Sequence, residues 1–386
     1  MEFVINKSDL VRELQTVNGV VEKRATLPIL SNLLIEATDS GLLQIGASDL
    51  EVTMRAQAQA EVKQPGSVTL PAAKLHDIAR SLPDQKVSFK LGDRNQMVIK
   101  CGRIRYKISG QPPDDFPGFP EIKEGQGITL PGAMLREMIE RVTFAITTED
   151  PRYSLNGALL ILKDKTLTFV ATDGHRLSFC SKTMDIEAAK DEIKVIVPRK
   201  ALTEVQKLTA DMGPEDQIIF GQGGNHTFFV AGEHRLTSNI LEGNFPRYEN
   251  VMPKSCSTSL PIPTEDLMNA VRRVSLLASD RFGRAIQFAL SPGKLQLFSK
   301  TEMGEAEEEL EIDYDGPETK IGFNARYLLD FLNVVGSPSV LLELNPNREG
   351  DKPDDQKVEA GDKPGQLRPE PQGEMNYRYV VMPMHL

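Results

Sequence analysis

The stretch from Leu167 to Cys180, LTFVATDGHRLSFC, decides the fold of this chain. Apolar and polar residues alternate in both of its halves, and Asp173-Gly174 between them can adopt the positive φ of a tight turn, so we predict a β-hairpin. The turn also brings Asp173, His175 and Arg176 together. Such a group fits either the catalytic residues of a hydrolase or an exposed polar turn. The turn is favoured, because Asp-Gly is needed there whatever the protein does.

The predicted hairpin and the strand before it occur three times along the chain. The strand begins near Ser31, Asn156 and Arg284, and the turn at Asp49 corresponds to the turn at Asp173. Repetition of a long pattern at a regular spacing indicates domains of one design. We place these domains at residues 1–124, 127–252 and 257–386.

Each repeat is also predicted to contain two amphipathic helices. Apolar residues three and four positions apart mark one face of each helix. These stripes begin at Leu10, Leu75, Leu135, Leu202, Leu267 and Leu328. Alternating strands surround both helices, so we predict an α+β chain of three tandem domains, in which two helices pack on antiparallel sheets.

Composition changes at three places along the chain. Turn-rich segments at 112–120 and 244–248 end the first two repeats. Residues 345–376, in the third repeat, are rich in Pro, Gly and charged side chains and poor in large apolar ones. We therefore predict a disordered insert there. A strand from Tyr377 to Met382 is expected to follow it.

Composition also limits the classes of function. The 386-residue chain has a net charge of −10, which argues against an ordinary basic DNA-binding domain. Its predicted helices nevertheless hold more Lys and Arg than Asp and Glu, a split expected if helices face DNA and acidic sheets face outward. Three scattered cysteines, no apolar run of membrane length and no signal-like start predict a cytoplasmic protein. No spacing of Cys, His or Gly predicts a metal site or a cofactor.

Several short motifs follow one another along the chain. They are Thr26-Leu-Pro-Ile-Leu-Ser-Asn-Leu-Leu, Asp115-Phe-Pro, Arg152-Tyr-Ser-Leu-Asn-Gly, Val170-Ala-Thr-Asp-Gly-His-Arg-Leu, Ile196-Val-Pro-Arg-Lys, Ile321-Gly-Phe-Asn and Tyr379-Val-Val-Met-Pro-Met. Through these motifs, in the family's order, the sequence resembles the bacterial DNA polymerase III β subunits, the sliding clamps, over nearly its full length.

The resemblance implies a head-to-tail homodimer that closes into a ring around duplex DNA, with helices lining the hole and sheets outside. It implies a non-catalytic processivity factor of DNA replication without a cofactor. The implied partners are double-stranded DNA, the DNA polymerase III catalytic subunit, the clamp loader, and other polymerases and repair proteins that carry clamp-binding peptides. A ring retains DNA by enclosing it, so weak phosphate contacts suffice and permit sliding.

The family's DNA-contacting positions carry over unevenly. They correspond here to Arg24, Lys74, Glu149, Tyr153 and Ser154. Ser154 replaces a Tyr, Glu149 stands where relatives often have Gln, and Ala73 replaces an Arg beside Lys74. Loss of a stacking ring and of an Arg is expected to weaken contact with tilted or single-stranded DNA, since stacking contributes about 1–3 kcal/mol per base.

The hairpin is, by the same resemblance, one wall of a pocket for short partner peptides. Apolar and Met side chains would receive hydrophobic anchors, while Arg and His at the rim would fix polar ends. The matching residues are Arg152, Leu155, Thr172, Gly174, His175, Arg176, Leu177, Pro246, Val251, Asn324, Tyr327, Val380, Val381, Met382, Pro383 and Met384. His385 departs from the Arg that is common in relatives.

The two ends of the chain have complementary edges, which suit a dimer contact. The basic and apolar edge in the first repeat consists of Arg103, Ile104, Arg105, Tyr106 and Ile108. The acidic and apolar edge in the third repeat consists of Leu276, Leu277, Glu302, Glu305, Glu307 and Glu308. Two such contacts would close a two-fold ring. Gly304 stands where relatives have another acid.

A metal-assisted hydrolase is the alternative function. It would use Asp173 and His175, with Asp150 as a third candidate. It predicts turnover that is lost in His175→Ala, whereas a clamp has none of its own. The other histidines, His76, His226, His234 and His385, show no ligand spacing.

Overall fold

The structure is a computed structural model that describes residues 1–22, 27–120, 127–147, 153–185, 192–279, 284–345 and 363–384. The chain forms two compact units. Unit 1 consists of Met1–Arg136 and Val197–Ile240, and unit 2 consists of Glu137–Ile196 and Leu241–Leu386. The domain boundaries predicted from the repeats remain predictions, because the strands of the central repeat are shared between two large sheets.

The described residues form six α-helices and 25 strands. The helices are α1 (Lys7–Asn18), α2 (Ala72–Ser81), α3 (Gly132–Thr143), α4 (Arg199–Leu208), α5 (Thr264–Val274) and α6 (Ala325–Leu332). The strands of the first repeat are β1 (Glu2–Asn6), β2 (Asn32–Ala37), β3 (Leu42–Ser48), β4 (Val52–Gln59), β5 (Glu61–Gln64), β6 (Gly66–Pro71), β7 (Lys86–Leu91), β8 (Gln96–Cys101) and β9 (Ile104–Ser109).

The remaining strands belong to the second and third repeats. Those of the second are β10 (Ile128–Pro131), β11 (Gly157–Lys163), β12 (Thr166–Thr172), β13 (Arg176–Thr183), β14 (Ile193–Pro198), β15 (Gln217–Gly223), β16 (His226–Ala231) and β17 (His234–Asn239). Those of the third are β18 (Thr258–Pro263), β19 (Ala285–Ser291), β20 (Lys294–Thr301), β21 (Gly304–Glu311), β22 (Thr319–Asn324), β23 (Ser339–Leu344), β24 (Gly365–Glu370) and β25 (Asn376–Val381).

Unit 1 contains a five-stranded sheet, β5-β1-β7-β8-β9, and an eight-stranded sheet, β10-β15-β16-β17-β4-β3-β2-β6. Helix α1 packs against α2 and against strands β3 and β4, and α4 packs against β17. The stripe Leu10, Leu14 and Val17 of α1 is buried, as the 3.6-residue spacing predicts. The helices of this unit therefore cover one face of the large sheet.

A buried acid ties α1 to the sheet of unit 1. The side chain of Glu13 is only 2% exposed, and its Oε2 lies 2.6 Å from Nε2 of His234 on β17. Its other oxygen accepts a hydrogen bond of 2.8 Å from Nε of Arg12. Both oxygens of this buried carboxylate are thus paired, which removes most of the cost of burying a polar group.

Unit 2 contains an eight-stranded sheet, β14-β11-β12-β13-β25-β24-β23-β18, and a four-stranded sheet, β21-β20-β19-β22. Helix α5 packs against α6, β20 and β21. Helix α6 begins at a side-chain cap, because Oδ1 of Asn324 accepts from the backbone N–H groups of Arg326 and Tyr327. Antiparallel pairs build every sheet of the two units, as in β1–β7, β12–β13, β4–β17, β19–β20 and β23–β24, which confirms the predicted α+β class.

The repeat inferred from Asp49 and Asp173 is visible in the turns that follow β3 and β12. Oδ1 of Asp49 accepts from the backbone N–H groups two and three residues on, at 2.9 and 2.6 Å. Oδ1 of Asp173 does the same at 2.9 and 3.1 Å. The next residue has a positive φ in both turns, +89° at Gly174 and +77° at Leu50. The two turns therefore have one conformation, although only the second has the glycine that favours it.

The prediction of a disordered insert at 345–376 is wrong for its C-terminal part. Strand β24 lies inside that range and pairs with both β23 and β25. Its polar residues face partners that the sequence does not reveal: Arg368 donates to both carboxylate oxygens of Glu343, at 2.8 and 2.7 Å, while Leu367 on the other face is buried. Paired charges let a polar segment form a central strand. Residues 346–362 lie outside the described part of the chain.

None of the helices in the described ranges combines the length and the apolar composition needed to cross a bilayer.

Candidate functional site

The turn between β12 and β13 is held by its own side chains. Oγ1 of Thr172 accepts from the backbone N–H of Gly174 at 3.1 Å and donates to the carbonyl of Arg176 at 2.6 Å. Asp173 caps the backbone N–H groups of His175 and Arg176. The predicted hairpin is confirmed, and its tip leaves Gly174 and His175 exposed.

Arg176 lies beneath this turn rather than at an exposed rim. Its side chain is 8% exposed and makes three hydrogen bonds, to Oδ2 of Asp173 (3.0 Å), Oδ2 of Asp330 (2.6 Å) and the carbonyl of Phe144 (2.6 Å). The guanidinium carbon also lies 4.3 Å from the ring centroid of Tyr327. Arg176 therefore joins the hairpin to α6 and to the segment after α3, and most of its donors are already used.

Burial and charge act in opposite directions on the pKa values around Arg176. Burial would lower the pKa of its guanidinium, but Tyr379, Asp330 and Asp173 outweigh burial and hold the pKa above its ordinary value. Burial raises the pKa of Tyr379, whose hydroxyl donates to the carbonyl of Tyr327 at 2.9 Å. Burial likewise raises the pKa of Tyr327. The arginine thus stays charged and the tyrosines stay neutral near pH 7.

An apolar cluster lies beside the hairpin on one face of the large sheet of unit 2. We call it the pocket cluster. Its buried members are Leu159, Val170, Leu177, Ile196 and Val380. Partly buried residues packed on it are Ile161, Phe179, Leu241, Phe245, Tyr248 and Met252. Such a half-covered apolar surface with polar groups beside it is typical of a ligand site.

The C-terminal tail is joined to the hairpin through backbone hydrogen bonds. In the β13–β25 pair Leu177 lies opposite Val380, and the N–H of Met382 donates to the carbonyl of His175 at 2.8 Å. The N–H of Met384 donates to the carbonyl of Gly322 at 2.9 Å. The tail therefore passes from the hairpin to β22, as a wall of the same surface.

The structure brings most of the predicted pocket residues to this region of unit 2, at different depths. Leu155, Thr172, Arg176, Leu177, Val380 and Val381 are buried. Asn324, Tyr327, Met382, Pro383 and Met384 are partly buried, and Gly174, His175, Pro246 and Val251 are exposed. Arg152 lies outside the described residues. The exposed and partly buried members are those that a peptide could touch.

Sequence reasoning missed several residues of this surface. Phe245 and Tyr248 pack on the pocket cluster, and the rings of Phe179 and Tyr248 lie 6.0 Å apart. From the sequence, segment 244–248 is assigned to a domain boundary, and only its Pro246 is included in the pocket. Two aromatic residues in such a short polar segment were the available signal, because exposed boundary turns rarely need them. Asp330, the partner of Arg176, gave no signal in the sequence.

The predicted DNA-contacting residues are described only in part. Lys74 is exposed on α2 in unit 1, whereas Tyr153 is 56% exposed and Ser154 is partly buried in a short 3₁₀ helix, Tyr153–Leu155, of unit 2. Arg24 and Glu149 lie outside the described residues. Within the observed helix bounds, only α2 and α4 hold more basic than acidic residues, and the other four helices are balanced. The basic excess of the helices is thus confined to two of them.

The predicted dimer residues lie along two sheet edges. Strand β9 ends the five-stranded sheet, with Arg105 exposed, Tyr106 and Ile108 partly buried, and Arg103 in the turn before the strand. Strand β21 ends the four-stranded sheet and exposes Glu305, while Glu302 lies in the turn before it.

The apolar part of the acidic edge is also exposed. Leu276 is 82% exposed and Leu277 partly buried in the 3₁₀ helix Ser275–Leu277. Glu308 is held by Arg273 of α5, whose hydrogen bond lowers the pKa of that carboxyl. The short 3₁₀ helix packs against β21, so exposed Leu276 lies beside the acidic side chains of that edge.

The geometry gives no support to a hydrolase at the hairpin. Both oxygens of Asp173 accept hydrogen bonds, from the turn and from Arg176, so Asp173 is not available as a base or a metal ligand. Within the ranges that the structure describes, no group of His, Cys, Asp and Glu could hold a metal ion. Asp150 lies outside those ranges.

Comparison with known protein families matches three successive domain models between residues 1 and 350. Residues 1–120 match the model of the N-terminal domain of the DNA polymerase III beta subunit. Residues 129–247 match the central-domain model and residues 249–350 the C-terminal-domain model.

Individual relatives align end to end. The beta sliding clamp of Pseudomonas putida is 38% identical over 392 residues and that of Escherichia coli K12 is 34% identical over 389 residues, with 100% of both chains covered in each case. Among solved structures, the DNA polymerase III subunit beta of Pseudomonas aeruginosa has a TM-score of 0.90 at 34% identity, with 100% of each chain covered. The sliding clamp of Bacillus subtilis has a TM-score of 0.91 at 25% identity, with 100% of this chain and 99% of that one covered.

These matches decide between the two functions that the sequence left open. They confirm the resemblance to sliding clamps and exclude the hydrolase. The chain belongs to the DNA polymerase III β-subunit family and functions as a DNA sliding clamp, a processivity factor of replication that works with DNA and a DNA polymerase and is not an enzyme.

Proposed function

We propose that two copies of this chain close head to tail into a ring that encloses duplex DNA in the cytoplasm. The observation that carries this proposal is the pair of open sheet edges, basic at β9 and acidic at β21. Pairing each edge with the opposite edge of a second copy would leave neither one open. A contact of this kind is heterologous, and two of them close a ring when the rotation is two-fold.

Enclosure predicts that retention on DNA is topological. After a clamp loader has placed the protein on nicked circular DNA, we expect it to stay bound in 1 M salt and to dissociate when the circle is cut. Salt at about that concentration reduces the Debye length to roughly 3 Å, so phosphate contacts alone would fail on both substrates. Gel filtration of the protein–DNA complex before and after linearisation measures the effect.

The control is the same protein on linear DNA whose two ends are blocked by bound streptavidin, where retention should return. Equal loss of the protein from uncut circles and from open linear DNA would disprove enclosure. That result would not bear on the proposed peptide site, because the peptide site uses a different surface of unit 2 from the ring contact.

Contacts with the enclosed DNA are proposed to be weak. Lys74 offers an exposed charge and Tyr153 an exposed ring, while Arg24 and Glu149 complete the proposed set by family resemblance. Ser154 and Ala73 lack the ring and the charge found in relatives, so stacking on single-stranded DNA would be reduced. Weak contacts are compatible with sliding, because the ring supplies retention.

The pocket cluster and the tail are proposed to form the docking site for partner peptides. The expected partners are the catalytic subunit of DNA polymerase III, the clamp loader, and other polymerases and repair proteins. Leu177 and Val380 form an apolar floor, and Met382 and Met384 adapt to different anchors. Because Arg176 is buried and already paired, polar recognition falls to exposed groups such as His175.

A substitution at Val251 tests this site without harming the fold. Val251 is 41% exposed, so Val251→Asp should cost little stability yet place an unpaired charge on the apolar surface. We expect the affinity for a peptide with a glutamine and two large hydrophobic residues to fall at least tenfold, about 1.4 kcal/mol. Fluorescence anisotropy of the labelled peptide measures it.

Ile219→Asp is the matched control. Ile219 is also 41% exposed but lies on β15 in unit 1. The Ile219→Asp variant should bind the peptide with the affinity of the unsubstituted protein. If both variants bind with full affinity, the surface around Val251 is not the peptide site.

A further inference from the structure

Strands β4 and β17 of unit 1 correspond to β13 and β25 of unit 2, two strands that carry part of the proposed peptide site. The shared turns at Asp49 and Asp173 fix the correspondence between β4 and β13. Counted from these turns, the corresponding pairs are Thr53 with Leu177 and Arg55 with Phe179. The apolar side chains of unit 2 are thus replaced by polar and charged ones in unit 1.

The neighbouring strands extend the correspondence. In unit 2, β25 places Val380 opposite Leu177. In unit 1, β17 places Thr237 opposite Thr53 and Arg235 opposite Arg55. Two arginines therefore face each other across the β4–β17 pair. Like charges that lie directly opposite each other destabilise a sheet. This pair of arginines therefore lowers the stability of unit 1, and the strand pairing does not explain why both positions hold arginine.

The two arginines lie on the sheet face away from α1. Met54 and Ala56 of β4 are buried beneath that helix, and the alternation of a strand directs Arg55 to the opposite face. There the guanidinium carbon of Arg55 lies 4.8 Å from the ring centroid of Phe119. Burial lowers the pKa of Arg55, Glu36 opposes this, and Arg235 lowers it further.

Phe119 is placed by a glycine on the same face. A Cβ atom added to Gly46 would lie 2.2 Å from Cζ of Phe119, so a larger residue in this position would displace the ring. Phe119 supports Arg55 from one side, and Oε1 of Gln44 accepts a hydrogen bond from it. Glu36, which lies opposite Gln44 in the sheet, is close enough to raise the pKa of Arg55 but forms no ion pair with it, so the contacts that position Arg55 are made by neutral groups.

Arg235 differs from the arginine that corresponds to it in unit 2. Arg378 donates to Oε1 of Gln366 at 2.8 Å and to the carbonyl of Pro253 at 2.5 Å. For Arg235, no hydrogen bond or ion pair joins the guanidinium to any residue in the described ranges, although the residue is partly buried. A half-buried guanidinium without an acceptor beside a second, positioned guanidinium is arranged to bind an anion.

We propose that Arg55 and Arg235 bind the carboxylate of an acidic residue in a partner peptide. The choice of a peptide as the occupant rests on the proposed function, because this surface repeats the proposed peptide site. The surface in unit 1 is basic where that of unit 2 is apolar, so it would bind an acidic side chain of the peptide instead of a hydrophobic one. Two planar guanidiniums can hold one carboxylate with several charge-assisted hydrogen bonds. The protein would thus read a hydrophobic motif in unit 2 and an acidic group in unit 1.

The test follows the side-chain Nε–H signals of arginine by NMR, using protein labelled with ¹⁵N-arginine. The probe is the peptide acetyl-Glu-Leu-Glu-Leu-Glu amide, and its counterpart with three Gln residues is the neutral control. We expect saturable shifts of the Arg55 and Arg235 signals with the acidic peptide only. Arg235→Gln should weaken binding at least tenfold, and Arg235→Lys should restore part of it.

Control variants and a phosphate titration distinguish binding at Arg55 and Arg235 from binding elsewhere on the protein. Arg94→Gln removes an exposed arginine in the same unit and should change nothing. In the Val251→Asp variant the probe should still bind, whereas loss of binding there would place the probe in unit 2 and overturn the proposal. Inorganic phosphate should bind at least tenfold more weakly than the probe. Equal binding of phosphate, or unchanged probe binding in Arg235→Gln, would also overturn it.

Discussion

Arg176→Met is expected to lower the free energy of unfolding of the β12–β13 region by about 3–5 kcal/mol, since removal of one partner from a buried ion pair leaves the other charge without compensation. Here two carboxylates lose their partner at once, and the carbonyl of Phe144 loses a donor. Asp173 and Asp330 are 16% and 28% exposed, so water can restore only part of their solvation. Met fills a similar volume, which keeps the loss of packing small.

Native-state hydrogen exchange measures this effect locally. The backbone amides of β12 and β13 should exchange faster in Arg176→Met, while those of β3 and β4 in unit 1 should be unaffected. Arg326→Met is the matched control in the same unit, because Arg326 is exposed and its loss should change stability by less than about 0.5 kcal/mol.

A double-mutant cycle separates the ion pair from the rest of the effect. If the pair with Asp330 dominates, then Asp330→Asn should cost much less in the Arg176→Met background than in the unsubstituted protein. Unchanged exchange in Arg176→Met would show that the arginine is dispensable for the fold. In that case its place in the site would have to be explained by peptide contact alone.

The hairpin, the repeats and the helices could be predicted because each is specified locally. Alternation, Asp-Gly and the 3.6-residue spacing report on residues that are neighbours in sequence. The turn at Asp49 is one that these local rules do not predict. Leu50 adopts the positive φ that Gly174 adopts in the second repeat, and only the repeat, not local propensity, identifies that turn.

The features that could not be predicted depend on distant partners. Residues 345–376 are predicted to be disordered because they are rich in Pro, Gly and charged side chains and poor in large apolar ones, yet Arg368 of β24 pairs with Glu343. The family resemblance implies a rim position for the arginines of the pocket, yet Arg176 is buried and Asp330 compensates its charge beneath the surface. Charge pairing between residues far apart in the chain decides both cases, and periodicity carries no information about it.

The double variant Arg103→Glu/Arg105→Glu is expected to convert the proposed dimer to monomers at micromolar concentration. Both positions are exposed on the basic edge, so the fold of unit 1 should survive. The substitutions would oppose acids to the acidic edge of the second copy, and like charges across an interface cost several kcal/mol. A loss of about 3 kcal/mol raises the dissociation constant more than 100-fold. Analytical ultracentrifugation at low salt measures the mass.

A charge swap makes this prediction specific to the two edges. Adding Glu305→Arg and Glu307→Arg to the same chain should restore the dimer, because the opposed edges again carry opposite charges. Lys163→Glu/Lys165→Glu changes the net charge equally at the turn between β11 and β12, and that variant should remain dimeric. If Arg103→Glu/Arg105→Glu stays dimeric at low salt, the β9 edge is not the contact. If it is monomeric but the swap fails to rescue it, β9 pairs with a surface other than β21.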